Sequence, residues 1–407
     1  MLRQRFDFTN DEGQTLSGRL EEPYDDVRGH VLFAHCFTCS KDVAAATRIS
    51  RALVDHGFGV LRFDFTGLGN SEGDFGNTNF SSNVQDLDAA IRALETAGKS
   101  PQVLVGHSLG GAAVLATAGR HAAVKAVVTV AAPSDPGHVV HLFESHREQI
   151  ERDGEAEVTL AGRKFRIAKQ FIDDVAEQAL TEKVRRMEKS LLIMHGPRDE
   201  LVSIEHARTL FEAARHPKSF VSLDDADHLL TRSRDSRYAA QVIAAWADRY
   251  LPEPTEEREP TSEQVRVTSL PKLAQRLETR HHVVRSDEPK KLGGDDTGVT
   301  PYELLLGALG SCTSMTLRMY AARKQWPLDR VEVELRHDRV HGKDAPEAGS
   351  DAPKRAERLT RKIRLEGALD NEQRARLMEI ADRCPVHRTL EACPEISTEE
   401  VVEEPRS

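Results

Sequence analysis

Short apolar runs alternate with amphipathic stretches over roughly the first 250 residues. Runs of strand length fall at 3–9, 16–20, 30–35, 59–65, 102–106, 125–131, 190–195 and 219–223. Helix-period segments sit between most of them, at 43–56, 83–97 and 109–120 for example. Apolar strands separated by amphipathic helices predict a mostly parallel sheet with helices on both faces. No helix separates the first two runs, which predicts an antiparallel edge hairpin. The alternation breaks off between about 135 and 189, where a small cap over an active site is expected.

The rhythm changes after the segment 251–263, LPEPTEEREPTSE. Its three prolines and five glutamates cannot bury a core, and they predict a semi-extended linker. Beyond it, strands are expected at 264–270, 281–286, 331–340 and 359–367. Two helices are expected, one over 301–325, stopped before Trp326-Pro327, and one over 370–383, stopped by Pro385. Residues 1–250 therefore read as an α/β domain and 264–407 as an α+β domain, a division that a chain of 407 residues favours on size alone.

Composition narrows the functional classes. Apolar residues make up 39% and charged residues 30%, as in soluble globular proteins. A formal net charge of −10 argues against a nucleic-acid or anionic-membrane surface. The first residues, MLRQRFDFTN, lack the layout of a signal peptide, and no run approaches the ~20 apolar residues that span a bilayer. A cytoplasmic protein is expected. Five cysteines (Cys36, Cys39, Cys312, Cys384, Cys393) are too few and too scattered for a secreted disulfide framework.

The segment Val103–Gly111 reads VLVGHSLGG, a G-x-S-x-G between an apolar strand and a helix. That context places Ser108 on a sharp turn at a helix N-terminus, as a nucleophile. Glycines at 106 and 110 let strand and helix approach closely. A serine hydroxyl needs a base, and the acid and the histidine should follow in that order. Asp199 follows the strand at 190–195, and His228 follows the strand at 219–223. Asp225 and Asp227 are rival acids near His228, read as turn residues. Leu109 and Phe37 are the expected oxyanion donors, Phe37 from the loop His35-Cys36-Phe37. Asp64 is expected to brace the glycine-rich loop behind it. Cys36 and Cys39 form a C-x-x-C on the oxyanion loop, for which a redox role is the minor reading.

These residues resemble the α/β-hydrolase superfamily over residues 1–250. The run RFDFTGLGNSEG, Arg62–Gly73, matches the glycine-rich loop of such hydrolases. Cys36 is a departure, because relatives carry glycine after that histidine. The resemblance implies hydrolysis of an acyl ester or thioester through an acyl-serine, with no cofactor and no metal.

In the second domain, Leu305, Ala308, Cys312, Met315 and Met319 recur at helical spacing and predict one apolar stripe with a cysteine at its middle. The plain reading of Cys312 is a buried core thiol. Cys384, His387 and Cys393 could supply soft metal ligands, but their spacing fits no common zinc pattern.

The segment DEPKKLGGDDTGVTPYELLLGALGSC, with CPVHRTLE about seventy residues later, resembles the OsmC/Ohr family over residues 264–405. The resemblance implies a peroxidatic thiol at Cys312 and a resolving thiol at Cys384. It also implies an organic or lipid hydroperoxide as substrate, a dithiol reductant and a homodimer formed through this domain. One departure is Tyr302 directly after Pro301, where family peroxidases carry glutamate. Glu303 is the nearest acid, and with Thr300 it also fits a helix-capping box. Arg276, Arg280 and Arg285 compete as the cation that would activate the thiol. The alternative is a non-catalytic dimerisation or ligand-binding module.

Overall fold

A computed structural model of the protein describes residues 1–24, 27–160, 162–251, 264–341 and 355–400. The chain divides into two compact units, Met1–Glu259 and Pro260–Ser407. Past Leu251, the expected linker lies outside the described residues.

The first unit is built on eight strands in the order β1-β4-β6-β5-β7-β8-β11-β12. In chain order the strands are β1 (Leu2–Arg5), the short pair β2 (Phe8–Thr9) and β3 (Thr15–Leu16), β4 (Gly18–Glu22), β5 (Gly29–Ala34), β6 (Phe58–Phe63), β7 (Pro101–His107) and β8 (Ala126–Val130). A two-stranded hairpin, β9 (Glu155–Leu160) and β10 (Arg163–Ala168), precedes β11 (Ser190–His195) and β12 (Lys218–Ser222). From β6 to β12 every pairing in the sheet is parallel. Strand β4 joins it antiparallel, and β1 pairs antiparallel with β4 at the edge.

The strands are apolar along their length because both faces are buried. On β5, Val31 and Phe33 pack to one side with Ala45, Ile49 and Ile243. Leu32 and Ala34 pack to the other with Leu87, Ile91 and Ala113. That two-residue period distributes one strand between the two helical layers. The helices Ala44–Asp55 and Ser233–Asp248 cover the first face. The helices Phe80–Thr96, Leu109–Ala118 and Ile204–Ala213 cover the second. Between β8 and β11 the chain leaves the sheet and forms a cap from the β9–β10 hairpin and short helices such as Lys169–Ala176.

The second unit has a meander of β13 (Val265–Ser269), β14 (Gln275–Thr279) and β15 (Val283–Ser286), and a long hairpin of β16 (Arg330–His341) and β17 (Arg355–Glu366). Its 24-residue helix Pro301–Lys324 starts at a capping box and stops at Gln325 in the left-handed conformation. That helix buries Leu309, Thr313, Leu317 and Ala321. Leu317 and Ala321 pack on Leu377 and Ile380 of the helix Asn371–Ala381. The stripe of Leu305, Ala308, Cys312, Met315 and Met319 is a different face of the helix: Cys312, read as a core thiol, is half-buried, and Met315 is 64% and Met319 74% exposed in this chain. Among the described residues, no helix is long and apolar enough to cross a membrane.

Candidate functional site

Ser108 lies between β7 and the helix Leu109–Ala118, with φ 56° and ψ −126°. A non-glycine residue held there is strained, and such strain is characteristic of reactive turns. The turn is tight because its flanks have no side chain. A Cβ on Gly106 would meet Gly110 O at 2.4 Å, and one on Gly110 would meet His35 O at 2.3 Å.

His228 Nε2 lies 3.0 Å from Ser108 Oγ, and its Nδ1 lies 2.7 Å from Asp199 Oδ2. With Nδ1–H donated to Asp199, the Nε2 lone pair faces the serine hydroxyl. Asp199 Oδ1 accepts from the amides of Leu201 and Val202, both at 2.9 Å. Burial pushes the Asp199 carboxyl up, but its bonds from His228 and these amides more than offset that, so it sits below the ordinary carboxylate value. The carboxylate is therefore charged at neutral pH.

The rival acids are engaged elsewhere. Asp225 pairs with Arg232 and Arg234, and the hydrogen bond from Arg232 takes its carboxyl down to about 2. Asp227 accepts from the amide and hydroxyl of Thr231, closing a turn. Asp64 is fully buried against Lys41 and also accepts from the amides of Lys41 (2.6 Å) and Asn70 (3.0 Å). It ties the glycine-rich loop to the end of the segment that carries Phe37.

Phe37 and Leu109 both line a cavity of about 530 Å³ with Ser108 and His228. Leu109 opens its helix, so its N–H has no partner within that helix. Phe37 is steadied by the rings of Phe75 and Phe171, at 5.5 and 5.3 Å. Cys36 and Cys39, the C-x-x-C for which a redox role was the minor reading, are joined as a disulfide. The loop turns on Cys39 N–H to Cys36 O (3.2 Å), with Thr38 at φ 61°, and this brings the two Cα atoms to 5.3 Å. The remaining cavity wall is largely apolar, from Val43, Val139, Leu142, Leu160, Leu201 and Leu229.

In the second unit, Cys312 is half-buried on the long helix and Cys384 is fully buried at the N-cap of the short helix Pro385–Glu391. Cys384 Sγ accepts from His387 N–H (3.3 Å) and lies 3.6 Å from Thr313 Oγ1. Arg361, on β17, donates to Thr313 Oγ1 (2.7 Å), Ala381 O (3.2 Å), Asp382 (2.8 Å) and His387 Nδ1 (3.3 Å). Burial raises the Cys384 thiol. Bonds from Thr313, the His387 amide and Cys312, with the Arg361 charge, outweigh it, so Cys384 sits below the ordinary thiol value.

Glu303 does not join this cluster. Its carboxylate accepts from Thr300 N–H at 2.7 Å, and nine helical residues put it roughly 13 Å along the axis from Cys312. Arg276, Arg280 and Arg285 belong to the β13–β15 side, where Arg276 pairs with Glu278 at 2.9 Å. His387 is engaged by Arg361 at Nδ1 and by Glu391 at Nε2 (2.9 Å), and Cys393 is exposed.

Comparison with known proteins follows the same division. Residues 31–242 match the family model described as "Alpha/beta hydrolase family". The chain belongs to that alpha/beta hydrolase family. Residues 293–399 match the model described as "OsmC-like protein", so the hydrolase carries a C-terminal OsmC-like domain. The esterase domain of a Rhodothermus marinus protein is 48% identical, with a TM-score of 0.51 over 61% of this chain and 99% of that one. The rat mitochondrial palmitoyl-protein thioesterase ABHD10 is 25% identical over 51% of this chain and 68% of its own. The mouse alpha/beta hydrolase domain-containing protein 10 is similar in fold at 21% identity, with a TM-score of 0.51 over 60% of this chain and 99% of that one.

Two residues of the hydrolase site escaped the sequence reading. His107, the variable position of G-x-S-x-G, donates from Nε2 to His228 O (2.7 Å) and so holds the histidine loop. Burial, then the neighbouring His228, takes its ring down to about 4, so it stays neutral. His195 Nε2 likewise donates to Val202 O (2.7 Å) beneath the Asp199 loop. Arg361 was missed in the OsmC-like domain, because it lies 23 residues before Cys384 on a strand whose polar alternation marks it as ordinary surface.

Proposed function

We propose that the hydrolase domain cleaves an acyl ester or thioester through an acyl-Ser108 intermediate. The observation that carries this reading is the relay Ser108 Oγ–His228 Nε2 at 3.0 Å and His228 Nδ1–Asp199 at 2.7 Å. His228 takes the hydroxyl proton as Ser108 attacks the carbonyl carbon, and Asp199 stabilises the imidazolium. The amides of Leu109 and Phe37 receive the oxyanion. The leaving alcohol or thiol takes its proton from His228, and water then repeats the sequence to release the acid. Turnover of 4-nitrophenyl acyl esters, with Ser108→Ala beside the parent, tests it. Two relatives, an esterase domain and a palmitoyl-protein thioesterase, support the same substrate class.

For the OsmC-like domain the reading is reduction of organic or lipid hydroperoxides. A Cys312 thiolate attacks the O–O bond, forming Cys312–SOH and releasing the alcohol. The Cys384 thiolate then displaces hydroxide to give the Cys312–Cys384 disulfide, which a dithiol reduces back. The support is the position of Arg361 beside Cys384, whose charge, with the His387 amide, helps hold the Cys384 thiol below its ordinary value and so eases its attack as the resolving group. Arg361→Met is expected to move the Cys384 transition, followed by thiolate absorbance against pH, to higher pH. An unmoved transition counts against Arg361 and for the module reading.

The exposed Val265, Val267, Met315 and Met319 support a homodimer through this domain. Met319→Glu is expected to convert the dimer to monomer by sedimentation, and an unchanged mass would contradict that. We place the protein in the cytoplasm, where Cys312 and Cys384 are kept reduced between turnovers and Cys36–Cys39 is a pair that the same reductants would open.

A further inference from the structure

Arg163 occupies a position where the pleat of β10 calls for an apolar side chain. Phe165 and Ile167 are buried, and Lys164 and Arg166 between them are exposed. Arg163 shares the face of Phe165 and Ile167, two residues on along the pleat. Its cross-strand partner Leu160 is buried and lines the cavity above Ser108. Arg163 lines the same cavity and is itself exposed to solvent. Among the described lining residues it is the only lysine, arginine, aspartate or glutamate.

Its charge is unmatched. Lys164 pairs with Glu157, and Arg166 with Asp74 and Glu155. Among the described residues Arg163 has no carboxylate partner. It donates to Thr38 O at 3.3 Å and lies 5.2 Å from the centre of the Phe165 ring. Those contacts fix the guanidinium at the cavity mouth and leave most of its five N–H donors unused. An arginine fork held in that way suits a carboxylate or phosphate.

Resting on the reading of Ser108 as nucleophile, we infer that Arg163 binds an anionic group on the leaving part of the substrate. The preferred substrates are then apolar acyl esters or thioesters of a phosphate- or carboxylate-bearing alcohol or thiol. The acyl carbon at Ser108 divides the substrate in two. The apolar half matches the wall of Val139, Leu142, Leu160, Leu201 and Leu229. A charged group is costly in that wall and is at home at the hydrated mouth, where Arg163 lies.

The test compares two thioesters of one acyl chain, hexanoyl-coenzyme A and the neutral hexanoyl-N-acetylcysteamine, with 4-nitrophenyl hydrogen adipate carrying its anion on the acyl side. Arg163→Met keeps the packing on Phe165 and removes the charge. It is expected to lower kcat/KM for the coenzyme A thioester about 10- to 100-fold, chiefly through KM, and to leave the neutral thioester within about twofold. Arg163→Lys is expected to restore part of the loss, and added salt to erode the parent's preference. Equal losses on both thioesters, no loss, or a loss confined to the adipate ester would overturn the inference. Ser108→Ala separates the two ideas: retained turnover there, beside a charge-selective loss in Arg163→Met, would sink the nucleophile and leave the anion contact standing.

Discussion

Ser108→Ala is expected to lower ester turnover by about 10⁴-fold or more while leaving the fold intact. Alanine keeps the Cβ that serine already carries at φ 56°, so the backbone strain is unchanged. The Ser108 amide still donates to Val130 O (2.9 Å), and the helix still starts at Leu109. What disappears is the oxygen 3.0 Å from His228 Nε2. Kinetics with 4-nitrophenyl esters and a thermal melt on the same sample separate the two effects. More than a tenth of parental activity, with an unchanged melt, would mean that another group attacks the carbonyl.

Asp64→Ala is expected to destabilise the hydrolase domain by about 3–5 kcal/mol. Asp64 and Lys41 are each other's ion partners, and both are buried, at 0% and 3% exposure. Removing the carboxylate leaves an ammonium with no counter-charge. It also frees the amides of Lys41 and Asn70 that the carboxylate accepts from. For a domain of this size the melting temperature should fall by about 10 °C, read by calorimetry. Asp64→Asn, which keeps an acceptor but not the charge, should fall between the two. A change of under 1 °C in Asp64→Ala would show the pair to be dispensable and the bracing account wrong. The loop that carries Phe37 runs directly into Lys41, so activity should also fall before unfolding begins.

The hydrolase half was legible because its strands are buried on both faces. Runs such as Val103–Val105 and Leu191–Met194 are apolar with no polar relief, and little else in the sequence competes with them. The serine turn is equally local, since both close approaches fall on glycines within two residues of Ser108. Asp199 and His228 were found from chain order, at strand ends. The OsmC-like half was harder to read for physical reasons. Strand β14, with the sequence QRLET, offers one apolar residue and was missed. The long helix carries two stripes of helical period. One, with Met315 and Met319, runs from the half-buried Cys312 to open surface, and the other, with Thr313 and Ala321, is core. Thr313 is tolerated in the core because its hydroxyl bonds Leu309 O (2.7 Å) and Arg361 (2.7 Å). Arg361 and His107 act through contacts distant in sequence, which periodicity does not encode.

A nucleophilic Ser108 should be the residue that a serine-directed phosphonate labels. Incubating the full chain with a fluorophosphonate and mapping the adduct by peptide mass spectrometry tests it most directly. One phosphonyl group is expected on the peptide carrying Ser108, lost in Ser108→Ala and sharply slowed in His228→Gln. An adduct on another residue, or none while ester hydrolysis proceeds, would contradict it.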